Sequence, residues 1–347
     1  MSIVTIIGAG MMGTALCWPL TDNGHQVRLA GTPLDEDIIE RIRLDGVHPR
    51  HERKIPDGVQ LYNHGQIEQA LEGASLVISG VSSFGVDWLA TEVGPHLNPN
   101  VALLSVTKGL EDLPDGSLEI IPAALERKLP DSLRGKISLN AIGGPCIAQE
   151  LAARRHTCVV FCGKDPAVLE NLRSMLATSY YHIRTSTDMV GVEVCAALKN
   201  GFASGICLAA GQLETLGADG IAQMYNPQAA LFAQSCVEMG RLTRLLGGGD
   251  ENVAWLPGAG DLYVTIFGGR SRRLGILLGR GISFEDARRE LAGLTLESAE
   301  IITRTARALP LLEKRGLLKT ADFPLLMHLD GVINHDAKVN IPWEAFR

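Results

Sequence analysis

No CxxC pair occurs anywhere in this sequence, although it holds seven cysteines, at 17, 146, 158, 162, 195, 207 and 236. An odd count, mostly inside apolar runs, fits reduced thiols packed as small hydrophobes in a cytoplasm and excludes a secreted disulfide framework. A block of lysine or arginine is also missing, and the net charge is −7. Nucleic acid and stable membrane insertion are therefore not expected. Repeats and low-complexity tracts are absent, which argues against a solenoid or a long disordered arm. Residues 3–20 carry no charge, yet they lack the basic flank of a signal peptide and are broken by glycines. No metal site is expected.

What is present is an ordinary globular composition, 46% hydrophobic and 20% charged over 347 residues, enough for about two or three domains. It begins with a β-branched run, Ser2–Ile7, suited to a strand buried on both faces. Gly8-Ala9-Gly10-Met11-Met12-Gly13 follows at once, then helical sequence to about Gly24. Strand, GxGxxG and helix in succession form the context of a dinucleotide-binding turn. Gly8 permits the tight bend, Gly10 the approach of a pyrophosphate, and Gly13 the packing of helix on strand. The phosphates would lie at the helix N-terminus.

His25–Ala30 reads as the second strand, and its tip is Ala30, Gly31, Thr32 and Pro33, with no acid before Asp35. The carboxylate that selects NAD through the ribose 2′-hydroxyl is thus missing from the strand tip, and so is an arginine for a 2′-phosphate. Either NAD or NADP is expected, with NADPH weakly preferred because nothing repels its extra phosphate.

Residues 35–46 look helical, and 47–63 carry loop chemistry. Ala74–Val81 is a further strand, leading to Ser82-Ser83-Phe84, a loop suited to face a nicotinamide. Val101–Val106 ends at Thr107-Lys108-Gly109, which puts a lysine at the ligand-binding edge of such sheets. Ile137–Ile142 leads to Gly143-Gly144-Pro145-Cys146-Ile147-Ala148, and a strand, helix and strand span 157–184. The alternation stops near Thr187. Helical patterns then cover 191–214, 226–246, 271–280, 284–292, 297–315 and 324–333. The expected fold is α/β, an N-terminal Rossmann-type doubly wound sheet over 1–190 followed by an all-helical C-terminal domain over 191–347.

The first of those helices, Gly191–Gly211, has one charge between Glu193 and Gly211: Lys199, with Asn200 beside it. A helix apolar on all sides is normally buried. An ammonium there either snorkels to the surface or needs partners, or else sheds its proton. Farther on, Leu256–Thr265 reads as a glycine-rich loop holding Asp261 and Thr265, ahead of a helix opening near Arg270. An anion would suit that arginine and the helix start. Taken alone, GGRSRR is better explained by a helix-capping loop with a solvated basic face.

These pieces, in this order, make the chain resemble NAD(P)-dependent sn-glycerol-3-phosphate dehydrogenases of the soluble bacterial and archaeal type. The resemblance rests on GAGMMGTAL (8–16), SVTKGLE (105–111), GGPCIAQELA (143–152), GVEVCAALKN (191–200), LPGAGDLYVT (256–265), GGRSRRLG (268–275) and a weaker TLES (295–298). It implies that Lys199 is the general base, with Lys108 and Asp261 completing the catalytic set. The substrate contacts would be Lys108, Gly144, Cys146, Asn200, Asp261, Thr265, Gly269, Arg270 and Ser271. Cofactor contacts would fall on Gly8, Gly10, Met11, Met12, Gly13, Thr32, Ser83, Phe84, Lys108, Ala148, Arg270 and Glu297. An apolar helix and a second cation would both lower the proton affinity of the base.

The implied reaction is hydride transfer between NAD(P) and sn-glycerol 3-phosphate or dihydroxyacetone phosphate, in a cytoplasmic homodimer that supplies glycerophospholipid synthesis. Three positions depart from the family pattern: Cys146 stands for Ser or Thr, Ser271 for Asn, and Ser298 for Gly. They leave open another polyol phosphate, or a β-hydroxyacid, on the same plan. A dinucleotide sensor without catalysis would be expected to lose the lysines that this chain keeps.

Overall fold

The β-branched and apolar runs form strands, in chain order β1 (Ile3–Ile7), β2 (Gln26–Ala30), β3 (Val47–His48), β4 (Arg53–Lys54), β5 (Gln60–Tyr62) and β6 (Leu76–Ser79). These are followed by β7 (Ala102–Ser105), β8 (Leu110–Asp112), β9 (Leu118–Ile120), β10 (Ser138–Gly143), β11 (Thr157–Gly163) and β12 (Tyr181–Ser186). The computed structural model describes residues 1–216 and 224–346. The chain divides into two units, one of Met1–Lys108 with Ile121–Met189 and one of Gly109–Ile120 with Val190–Arg347.

In the first unit eight strands share one sheet in the order β12-β11-β10-β7-β6-β1-β2-β5. From β5 to β10 every pairing is parallel. Read from β5, those six strands follow the doubly wound order 3-2-1-4-5-6, whose direction reverses between β1 and β6. β11 runs antiparallel to β10, and β12 parallel to β11. Two apolar layers cover the faces of the sheet. One holds Val4, Ile6, Trp18 and Phe161, and the other Ile7, Val77, Leu103 and Leu125.

Two expectations are corrected here. Residues 47–63 are not all loop: β3 and β4 form a hairpin, and β5 extends the main sheet beside β2. Strands of two or three residues are too short to show the alternation by which strands are read. The helix after β1 is also broken, into Met11–Ala15 and Cys17–Asp22.

Among the described residues the second unit is helical except for the β8–β9 hairpin, which belongs to it although its sequence lies within the α/β stretch. Arg304 donates to the Leu110 carbonyl at 3.2 Å, and Arg307 meets Asp112 at 2.9 Å. Its central helix, Met189–Thr215, is long and apolar enough to cross a membrane by length and composition, but 89% of its apolar window is buried in the protein. Helix Gly269–Gly279 packs on it at backbone contact. A Cβ on Gly275 would lie 2.2 Å from the Ser204 carbonyl oxygen, and one on Gly279 2.2 Å from that of Leu208. That close approach fixes where the helix carrying Arg270 begins.

A buried acid joins two more helices. Glu238, in helix Tyr225–Leu245, accepts the Leu325 and Leu326 amides at 2.8 and 2.9 Å and the Gln234 amide at 2.8 Å. The first two are orphan donors of helix Pro324–Asn334. Burial pushes this carboxyl up to about 7 against the pull of those donors. The folded state therefore binds the proton more tightly than the unfolded chain. The stability it contributes is full below the ordinary carboxyl range and is lost as pH rises through about 7. The thermal-melting advantage of the wild type over Glu238→Ala should accordingly shrink between pH 5 and pH 8. A constant difference across that range would exclude this coupling.

Candidate functional site

In the first unit the glycine turn leaves β1 with Gly8 at φ +104°, a conformation L side chains rarely adopt. A Cβ on Gly13 would lie 2.4 Å from the Gly8 carbonyl oxygen, so Gly13 is required by the protein's own packing. Gly10 is different, because the nearest atom to a Cβ there is 4.0 Å away. Nothing internal demands a glycine at 10, and the open space in front of its backbone fits an incoming pyrophosphate. Met11 and Met12 are half-buried at the start of the following helical turn.

The tip of β2 brings a correction. An acid does stand there, supplied by the loop: Asp35 is 8% exposed and folds back onto the turn. Its Oδ2 accepts from the Ala9 amide at 3.1 Å, the Thr32 amide at 3.0 Å and the Thr32 hydroxyl at 2.8 Å. Thr32, expected to touch the cofactor, thus spends its hydroxyl on Asp35. None of these three bonds uses Asp35 Oδ1. Its signal in the sequence is an acid about twenty residues past the glycine motif, lying in the loop rather than at the end of the strand.

Other expected residues of this unit fall at carboxyl ends of strands. Ser83 and Phe84 open a short 3-10 turn after β6, with Phe84 exposed. Lys108 is half-buried just past β7. Gly144, at φ +118°, and the half-buried Cys146 follow β10, and Ala148 starts the next helix.

In the second unit Lys199 does not snorkel. It is 7% exposed, and its Nζ donates to Asp261 Oδ1 at 2.8 Å and to Thr265 Oγ1 at 2.9 Å. The Thr265 hydroxyl donates in turn to the Asp261 carbonyl at 2.6 Å. Asn200 is half-buried beside them. The stretch bearing Asp261 and Thr265 is not a loop. Leu256–Gly260 forms a π turn that runs into the short helix Asp261–Thr265, whose i, i+4 spacing aims both side chains one way. Glycine does not mark a loop here: Gly258 is there because a Cβ would lie 2.3 Å from the Val253 carbonyl oxygen.

This pairing also changes the electrostatics expected from an isolated lysine. A carboxylate at 2.8 Å stabilises the ammonium form, where an apolar helix alone would oppose it.

Arg270, the second residue of helix Gly269–Gly279, reaches Glu297 Oε2 at 3.3 Å with 44% of its side chain exposed. Arg272 is held differently, donating to the Ile266 carbonyl at 2.9 Å. Ser271 is buried, and Ser298, where the family pattern has glycine, is 1% exposed with no hydrogen-bond partner for its hydroxyl among the described residues. Among those residues no group of three or more His, Cys, Asp or Glu side chains is arranged to hold a metal.

Two family models match the chain: NAD-dependent glycerol-3-phosphate dehydrogenase N-terminus over residues 3–169, and the C-terminus of the same family over residues 188–344. The chain belongs to the NAD-dependent glycerol-3-phosphate dehydrogenase family. Relatives in this family include the NADP(+)-dependent glycerol-3-phosphate dehydrogenase of Archaeoglobus fulgidus, 37% identical over 289 residues and covering 83% of each chain. The glycerol-3-phosphate dehydrogenase [NAD(P)+] of Koribacter versatilis is 32% identical, over 100% of this chain and 96% of that one. A crystal structure of glycerol-3-phosphate dehydrogenase from Coxiella burnetii superposes with a TM-score of 0.81 at 26% identity, covering 99% of this chain and 97% of the other. The family's two-part plan therefore runs through essentially the whole sequence.

Proposed function

We propose that this chain reduces dihydroxyacetone phosphate to sn-glycerol 3-phosphate, reversibly, with NADPH or NADH. The observation that carries the reading is the buried Lys199–Asp261–Thr265 group on an otherwise apolar helix, in a chain of this family. Burying an ammonium and a carboxylate together is costly, and such pairs are kept where chemistry uses them.

The dinucleotide is assigned to residues 1–190 and the phosphorylated polyol to residues 191–347, with Lys108 added to the substrate's side. Bound nicotinamide supplies a hydride at C4 in reduction and takes one in oxidation. The chain's own groups handle the proton and the phosphate. Lys199, anchored by Asp261, donates a proton to the carbonyl oxygen as it becomes an alkoxide, and recovers one from the hydroxyl in the reverse direction. By family resemblance Lys108 is a second cation for the substrate. Thr265 and Asp261 keep Nζ in one place, so that little ordering remains to be done in the transition state. By the same resemblance Arg270 holds the phosphate, and Asn200, Gly144, Cys146, Gly269 and Ser271 are assigned as further substrate contacts. Gly8 to Gly13, Thr32, Ser83, Phe84, Ala148 and Glu297 serve the dinucleotide. The family resemblance supports a cytoplasmic homodimer that supplies glycerophospholipid synthesis, and size-exclusion chromatography with light scattering tests the assembly.

The reading is tested by turnover of dihydroxyacetone phosphate with each cofactor, alongside longer ketose phosphates. Faster reduction of a longer ketose phosphate would move the substrate and keep the chemistry. No turnover of any phosphorylated ketone would remove the proposal.

Cofactor choice depends on Asp35. With a carboxylate back at the tip of β2, the expected NADPH preference loses its premise, and we infer discrimination within about tenfold, or 1.4 kcal/mol, in either direction. Asp35→Ala removes a negative charge near the ribose and should raise the NADPH-to-NADH ratio of kcat/KM by about tenfold. An unchanged ratio would mean that Asp35 only braces the turn.

A further inference from the structure

The β3–β4 hairpin places two histidines beneath the glycine turn. His48 is fully buried and His51 is 8% exposed. The Arg50 and His51 amides both donate to His48 Nδ1 at 3.2 Å, so that nitrogen bears no proton and Nε2 carries the ring hydrogen. His48 Nε2 lies 2.9 Å from the Ala9 carbonyl and donates to it. The Thr14 hydroxyl donates to the same carbonyl at 3.2 Å. His51 Nε2 lies 2.8 Å from the Met11 carbonyl, which can only accept. Both rings therefore act as neutral donors. Burial keeps His48 less basic than a free imidazole and brings His51 down to about 4. Trp18 packs against His51 with ring centroids 5.7 Å apart, and the two imidazoles meet edge to face at 4.7 Å.

We propose that His48 and His51 are positioning residues for the pyrophosphate of the dinucleotide, pulling two carbonyls of the turn inward so that the amides of the same peptide planes face the ligand. In a trans peptide the C=O and N–H point opposite ways. Holding the Ala9 carbonyl on His48 aims the Gly10 amide outward, and holding the Met11 carbonyl on His51 does the same for Met12. Among the described residues no acceptor takes either amide. A glycine turn left unbraced would sample other peptide orientations, and binding would have to bear the cost of ordering it. The inference rests on the dinucleotide reading above.

The test measures Kd for NADH and for ADP, which carries a pyrophosphate, against adenosine, which lacks one. His51→Leu keeps the bulk and loses the donor, whereas the amide of His51→Gln reaches close to where Nε2 lies. We expect His51→Leu to weaken NADH and ADP about tenfold, with adenosine unchanged by saturation-transfer NMR. His51→Gln should stay within about twofold, and at saturating cofactor the kcat of His51→Leu should match the wild type while the cofactor KM rises. Should His51→Leu fail to fold, His51→Asn, polar but too short to reach the Met11 carbonyl, must show the same selective loss. Unchanged ADP and NADH affinity in a folded variant would overturn the proposal. Equal weakening of adenosine would overturn it too, since the hairpin would then only support the fold. Wild-type protein that binds neither NADH nor ADP would instead remove the dinucleotide reading, and the brace with it.

Discussion

Lys199→Met is expected to bind NADPH and yet reduce dihydroxyacetone phosphate about 10²–10⁴-fold more slowly, because a positioned proton donor contributes on that order. A larger loss is expected if the ammonium also steadies the developing alkoxide. Methionine matches the length of lysine and is at ease in an apolar helix, which would favour folding. The structure adds an opposing effect: Asp261, with a side chain 2% exposed, loses its ammonium partner at 2.8 Å. Removing one partner of a buried ion pair costs about 3–5 kcal/mol, so a lowered melting temperature should accompany the lost activity. The two effects separate in the double variant Lys199→Met/Asp261→Asn. A neutral amide no longer needs a cation, so stability should recover while turnover stays low. Lys199→Arg should not rescue the rate, since a guanidinium keeps its proton near neutral pH. Near wild-type kcat in Lys199→Met would reduce the buried pair to a structural feature and move the proton step to Lys108.

How much of this was legible in the sequence differs from element to element. β1, the glycine turn and the helix around Lys199 were readable because each is a local pattern: a β-branched run, a fixed glycine spacing, an apolar periodicity. The partner of Lys199 was not, since Asp261 lies 62 positions away and only packing decides which buried carboxylate meets which amine. The hairpin with His48 and His51 is hidden in the sequence for a different reason. Its strands are two residues long, and its histidines act on the backbone of a turn some forty positions earlier. Asp35 sits between these cases. Its carboxylate is visible in the sequence, but the fold of the loop that returns it to the end of β2 is not a local pattern. Glycine was also ambiguous by itself: in Leu256–Thr265 it marks close backbone contact and no loop.

Arg270→Ala should lower kcat/KM for dihydroxyacetone phosphate by roughly 3 kcal/mol, more than a hundredfold, through loss of a charge-assisted contact to the phosphate. The figure lies within the 2–5 kcal/mol typical of a truncated, hydrogen-bonded charge pair and below its upper end. Two observations keep it there: 44% of the arginine side chain is exposed, and Glu297 at 3.3 Å already shares the guanidinium. Solvent and that carboxylate both compete with an incoming phosphate. The loss should divide between KM and kcat, because binding energy at the phosphate end also orients the reacting carbon. Arg270→Lys should recover only part of it, an ammonium offering charge without the two-pronged geometry. Arg273→Ala is the control for a merely basic helix start, and as an exposed neighbour it should stay within about twofold. NADH affinity should change far less than substrate KM in Arg270→Ala. If Arg270→Ala and Arg273→Ala lose the same small amount, GGRSRR is a solvated basic face and the phosphate must be held elsewhere.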